Sequence, residues 1–103
     1  NVYCASKHAV DALSKAMRID LLKHGIKVTN IAPGMAETEF SVVRFKGDRE
    51  KADAVYRGVK ALTAGDIADV IWFCTTLPEH VCINDLTITP TQQAGTGYLN
   101  RNP

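Results

Sequence analysis

The chain changes its hydrophobic period sharply at Gly25, and that switch limits what it can fold into. Ahead of it Ala9, Val10, Leu13, Ala16, Met17 and Leu21 recur at spacings of three and four, the pattern of a helix with one apolar face. Behind it Ile26 to Ala32 is short, rich in β-branched residues and closed by Pro33, the pattern of a buried strand. Gly25 falls where a left-handed helix cap suits glycine, and Lys23 and His24 stand at the negative end of the helix dipole. A helix running straight into a buried strand implies an α/β fold with a parallel sheet. Ligands of such sheets gather beyond the carboxyl ends of the strands, which is where Pro33-Gly34 stands.

Two groups of residues carry candidate chemistry. Tyr3 and Lys7 are four apart, about one helical turn, so they project from one face. A free tyrosine, with a pKa of about 10, shuttles protons poorly at neutral pH, and a nearby cation such as Lys7 favours its phenolate. The same spacing also arises by chance on exposed helices. In the second group, Pro33 fixes the direction of exit from the strand and Gly34 lets a ligand approach the backbone. The amides that follow, from Met35 through Ala36 to Thr38, are expected to be free to bond that ligand. A solvated turn is the competing reading.

Together, Tyr3-Cys4-Ala5-Ser6-Lys7, the helix behind it, Ile26 to Gly34 and Thr38 resemble the C-terminal half of a short-chain dehydrogenase/reductase. The resemblance implies the second half of a doubly wound, Rossmann-type parallel sheet. Tyr3 would be the catalytic acid and base, and Lys7 its tuner and a ligand of the nicotinamide ribose. Pro33, Gly34, Met35, Ala36 and Thr38 would receive the nicotinamide. Ala36 departs from the valine common at that position and keeps a backbone contact. The stretch from Phe40 to Gly47 resembles the NADP-dependent serine and 3-hydroxy acid dehydrogenases, so NADP is expected ahead of NAD. Arg44 then offers a planar fork to a substrate carboxylate, with pairing to Glu39 or Asp48 as the alternative. The glycine-rich turn, the Asn-Ala-Gly strand end and the serine of the family do not occur in these residues, so a fragment of a longer chain is expected.

Further along, residues 40–60 correspond to a variable substrate lid, with Asp48 as N-cap of a helix carrying Ala52, Val55 and Tyr56. Thr63 and Asp66 have capping-box spacing ahead of an apolar helix over 64–77. Trp72 and Phe73 in that helix are expected to pack in a core or an interface. A last strand is expected over 83–89 and a loose tail, or an arm on a neighbouring subunit, over 90–103. All of this makes one domain, with the catalytic helix at 3–24 and the first strand at 26–32.

Composition removes several classes of function. Twelve basic and eleven acidic residues leave a net charge of +1, which argues against electrostatic capture of nucleic acid or anionic membrane. No apolar run is long enough for a membrane span. Cys4, Cys74 and Cys82 are odd in number and lack CxxC spacing, which suits a reduced, cytoplasmic protein, and Cys4 is expected to be a buried filler. His80 and Cys82 with Cys74 lack a fourth metal ligand, so no metal is expected.

The resulting expectation is an oxidoreductase acting on a small-molecule substrate, a dimer or tetramer of identical subunits when complete. Two alternatives stay open: a non-catalytic piece without its cofactor-binding half, and a sugar-nucleotide epimerase built on the same tyrosine and lysine.

Overall fold

The computed structural model describes residues 1–37 and 47–103. Helix α1 spans Val2–Asp20. The Asn1 side chain caps it, accepting from the Cys4 N–H at 2.9 Å, as a short polar residue does at a helix start. The helix does not continue to His24: a 3₁₀ turn follows over Leu22–His24, and Gly25 ends it with φ 65, the left-handed conformation expected of it.

Strand β1, Asn30–Pro33, pairs in parallel with β2, Asp85–Ile88, in the register Asn30↔Asp85 through Pro33↔Ile88. Both strands are shorter than the spans 26–32 and 83–89 expected of them. A strand ends where its ladder partner ends, and residues 26–29 meet no strand among the described residues. The Val28 carbonyl instead accepts from the Arg18 guanidinium at 3.3 Å, and one arm of the same guanidinium reaches the Asn84 carbonyl at 2.8 Å. Arg18 thus ties the end of α1 to the entries of both strands.

Helix α2, Arg49–Tyr56, starts at Asp48, whose carboxylate accepts from the Lys51 N–H at 3.1 Å. Helix α3, Ala64–Thr75, starts from a complete capping box. Thr63 Oγ1 accepts from the Asp66 N–H at 3.1 Å, and an Asp66 carboxylate oxygen accepts from the Thr63 N–H at 2.9 Å. The helix stops where the Thr75 and Thr76 hydroxyls bond back to the Trp72 and Phe73 carbonyls, just before Pro78.

Residues 90–103 are not a loose tail. Gln93–Gly95 (β3) and Tyr98–Leu99 (β4) form an antiparallel hairpin about a two-residue turn, and the chain beyond it bonds back toward α2. Arg101 donates to the Val55 and Arg57 carbonyls, and the Asn102 N–H donates to the Gly58 carbonyl at 2.8 Å.

The apolar faces stay uncovered. Ala61 is the one buried hydrophobic residue among those described, while Leu13 is 58% exposed and Trp72 72%, so Trp72 and Phe73 pack in no core among the described residues. Cys4 is exposed as well, contrary to its expected burial. A chain of 11.2 kDa closed around its own core would expose roughly 5,700 Å². This one exposes 7917 Å², and its radius of gyration is 16.3 Å where about 13 Å is usual. Among the described residues no helix is long and apolar enough to cross a membrane.

The capping box carries a pH signature. Its hydrogen bonds from the Thr63 backbone and hydroxyl hold the Asp66 carboxyl below its ordinary 3.8. A group whose folded pKa is depressed stabilises above its unfolded pKa and loses that effect as pH falls through the folded one. In a peptide of residues 62–77 the helical circular-dichroism signal is therefore expected to hold down to about pH 4 and to decline below it. Asp66→Asn should lower the signal at neutral pH and flatten the acid decline; an identical decline in both peptides would refute the assignment.

Candidate active site

The N-terminal turns of α1 and the loop after β1 lie at the same end of the parallel pair. Arg18 contacts Val28, whereas Asp11, two helical turns earlier, accepts from the Asn30 side chain at 3.3 Å. The helix therefore runs antiparallel to β1. Tyr3 lies about 12 Å further toward the helix start than Asp11, and Pro33 about 10 Å further along the strand than Asn30. Both advances lead to the carboxyl end of the sheet.

At the helix start Tyr3 is 56% exposed, and the Lys7 ammonium stands over its ring, 5.3 Å from the centroid. This is cation–π geometry, with the charge against the ring face. The Ser6 hydroxyl donates to the Tyr3 carbonyl at 2.7 Å.

The loop after β1 differs from the expectation of free amides. The Gly34 N–H donates to the Ile88 carbonyl, extending the parallel ladder, and the Met35 N–H donates to Gln93 Oε1 at 2.8 Å. The Glu37 N–H donates to the Leu62 carbonyl at 2.7 Å and the Leu62 N–H to the Met35 carbonyl at 2.9 Å, an isolated parallel bridge centred on Ala36. Three of the loop's amides are thus committed within the chain. Gly34 is also required by the chain itself, since a Cβ there would collide with Gln93 Oε1 and stand 3.0 Å from Thr89 Cγ2.

One residue of the loop remains available. The N–H and C=O of a trans peptide unit point in opposite directions. Because the Met35 C=O and the Glu37 N–H both turn toward Leu62, the Ala36 N–H and C=O both turn away from it. The Ala36 carbonyl accepts from the Tyr56 hydroxyl at 2.9 Å and keeps a second lone pair, and its N–H has no partner among the described residues. Ala36 therefore presents one donor and one acceptor side by side. Thr38 and Arg44 lie outside the described residues.

Sequence reasoning missed Gln93 and Tyr56. Neither residue type marks a site by itself, and Gln93 is 58 positions from its partner. Among the described residues no three His, Cys, Asp or Glu side chains gather as a metal site would require.

The family model for short chain dehydrogenases matches residues 1–49. A sulfoacetaldehyde reductase of Chromohalobacter salexigens is 50% identical over 98 residues, covering 95% of this chain and 39% of that protein. An NADP-dependent 3-hydroxy acid dehydrogenase of Schizosaccharomyces pombe is 43% identical over 101 residues, covering 98% and 39%. A solved structure of serine dehydrogenase, in its closed form complexed with NADP+, superposes with a TM-score of 0.89 at 44% identity, covering all of this chain and 42% of that one. The chain is therefore similar to short chain dehydrogenases and shares the Rossmann-like α/β fold of the solved serine dehydrogenase. It spans about two fifths of the length of the curated relatives it matches.

The collision at Gly34 is testable in the complete protein. Gly34→Ala is expected to cost about 1–3 kcal/mol, as an extra methyl forced into a tight contact does. Gln93→Ala in the same molecule should recover part of that loss. Urea unfolding of the two single variants and the double measures the coupling, and additive effects would remove it.

Proposed function

We propose that the complete protein is an NADP(H)-dependent oxidoreductase interconverting an alcohol and a carbonyl on a small anionic substrate, a 3-hydroxy acid by preference. The observation that carries this reading is the Tyr3 and Lys7 pair, in the first turns of a helix whose start shares the carboxyl end of the sheet with the Pro33 to Ala36 loop. The match to the short chain dehydrogenase model supports it, as do relatives named as reductases and dehydrogenases, which also favours this reading over an epimerase.

The loop's donor set fits a nicotinamide. A carboxamide carries one acceptor oxygen and one donor nitrogen, the complement of the Ala36 N–H and C=O, and Thr38 adds a hydroxyl by sequence. Bound NADP(H) supplies or accepts the hydride at the substrate carbon. Tyr3 gives its phenolic proton to the carbonyl oxygen in reduction and takes a proton from the hydroxyl in oxidation. Lys7 keeps a cation beside the phenol and donates to ribose hydroxyls. Pro33, Gly34 and Met35 fix the backbone that aims Ala36. Arg44 receives the anionic group of the substrate, a role that rests on sequence alone. Sulfoacetaldehyde and 3-hydroxy acids, for which relatives are named, both join a small reacting carbon to an anion.

The exposed Val10, Leu13 and Met17 of α1 support burial against a second subunit in a dimer or tetramer. The free Cys4, Cys74 and Cys82 suit the reducing cytoplasm.

Tyr3→Phe in the complete protein is expected to abolish turnover while NADPH binding persists; retained turnover would refute the assignment. Arg44→Ala should raise KM for a 3-hydroxy acid far more than for an uncharged alcohol, and equal effects would withdraw its role. A second reading concerns the 103 residues alone: with Ala61 the one buried apolar side chain among those described, they are expected to bind NADPH weakly or not at all. Micromolar binding in calorimetry would contradict this.

A further inference from the structure

Two adjacent glutamines, Gln92 in the turn ahead of the C-terminal hairpin and Gln93 at the start of β3, serve different partners. Gln92 works on the chain leaving α2. Its Oε1 accepts from the Lys60 N–H at 2.8 Å, and its Nε2 donates to the Gly58 and Asn100 carbonyls at 2.8 Å each. Gln93 works on the loop after β1, where its Oε1 accepts from the Met35 N–H at 2.8 Å and fills the space left by the missing Gly34 side chain.

The consequence lies in the peptide units. The Met35 N–H belongs to the Gly34–Met35 unit, and the Met35 C=O shares a unit with the Ala36 N–H. Gln93 holds the first unit and Leu62 the second, so the dihedrals of Met35 between them are fixed from both sides. The direction of the Ala36 N–H follows from that pair of bonds. Without the Gln93 oxygen the Met35 N–H is left in a half-buried place without an acceptor, and the unit is free to rotate.

We propose that Gln93 is a positioning residue for the cofactor, touching Met35 and acting through it on the Ala36 groups that receive the nicotinamide carboxamide. The proposal rests on the reading of this loop as the nicotinamide site. It assigns Gln93 an effect confined to the nicotinamide end of the ligand, where a defect in the fold at large would affect every part of the ligand alike.

The test uses the complete protein and two probes: NADPH, and adenosine 2′,5′-bisphosphate, which has no nicotinamide. Gln93→Leu removes the oxygen at similar size, and Gln93→Asn withdraws it by one methylene. Each is expected to weaken NADPH about tenfold, the usual scale for stranding a partly buried donor, and to leave the bisphosphate unchanged. Gln93→Glu, which keeps an acceptor oxygen in reach, should recover most of the NADPH affinity. Gln92→Leu should lower the melting temperature without changing the ratio of the two affinities. Unchanged NADPH affinity in a folded Gln93→Leu or Gln93→Asn variant would overturn the proposal, as would equal weakening of both probes or failure of both variants to fold. A wild-type protein that binds neither probe would instead overturn the cofactor reading itself.

Discussion

The four-residue parallel ladder between β1 and β2 is the contact on which the rest of the arrangement depends. It sets Pro33 beside Ile88, so the two chains leave the sheet side by side and their continuations can bond. The Gly34 N–H adds one more rung, and only then are Thr89 and Gln93 within reach of Gly34 and Met35. A slip by one residue would exchange the faces of every side chain on the strand and move Gln93 out of register with Met35. Arg18 guards that register at the other end, bonding carbonyls that precede both strands.

The four short strands and three α-helices of the described residues leave much apolar surface open. The exposed faces of α1 and α3, with Leu13, Met17, Ile71 and Trp72, are stripes of the kind that helices bury against a sheet or against each other. Between β1 and α3 an open cleft of about 650 Å³ is lined in part by Ile31, Ile71 and Cys74. Such surfaces are too extensive to be scattered exposed residues. The chain that leaves them open spans about two fifths of the length of the curated relatives it matches.

What the sequence made legible was mostly local. Helix α1 follows from its period, and the caps at Asp48 and Thr63 follow from partners three residues away. The Tyr3 and Lys7 spacing and the Pro33-Gly34 turn were visible because each is a short pattern with a mechanism. What stayed hidden was set across long separations. The ends of β1 depend on β2, some fifty residues later. The loop amides looked free because their acceptors, Gln93 and Leu62, are remote in the chain and of types that carry no signature. The terminal hairpin escaped for the same reason, since its strands are too short for alternation to register and its fixing bonds come from glutamine and arginine side chains.

The bridge at Ala36 has a thermodynamic meaning. Ordering a backbone residue costs roughly 1–2 kcal/mol, and a loop that stiffens only when a ligand arrives sets that cost against affinity. Here the cost falls on folding, because the bonds that hold Gly34, Met35 and Glu37 are made within the chain. The residue between the two halves of the bridge can accept a ligand with little further loss of freedom. On the proposed cofactor reading, a large molecule taken up and released at every turnover would exchange without waiting for this loop to order.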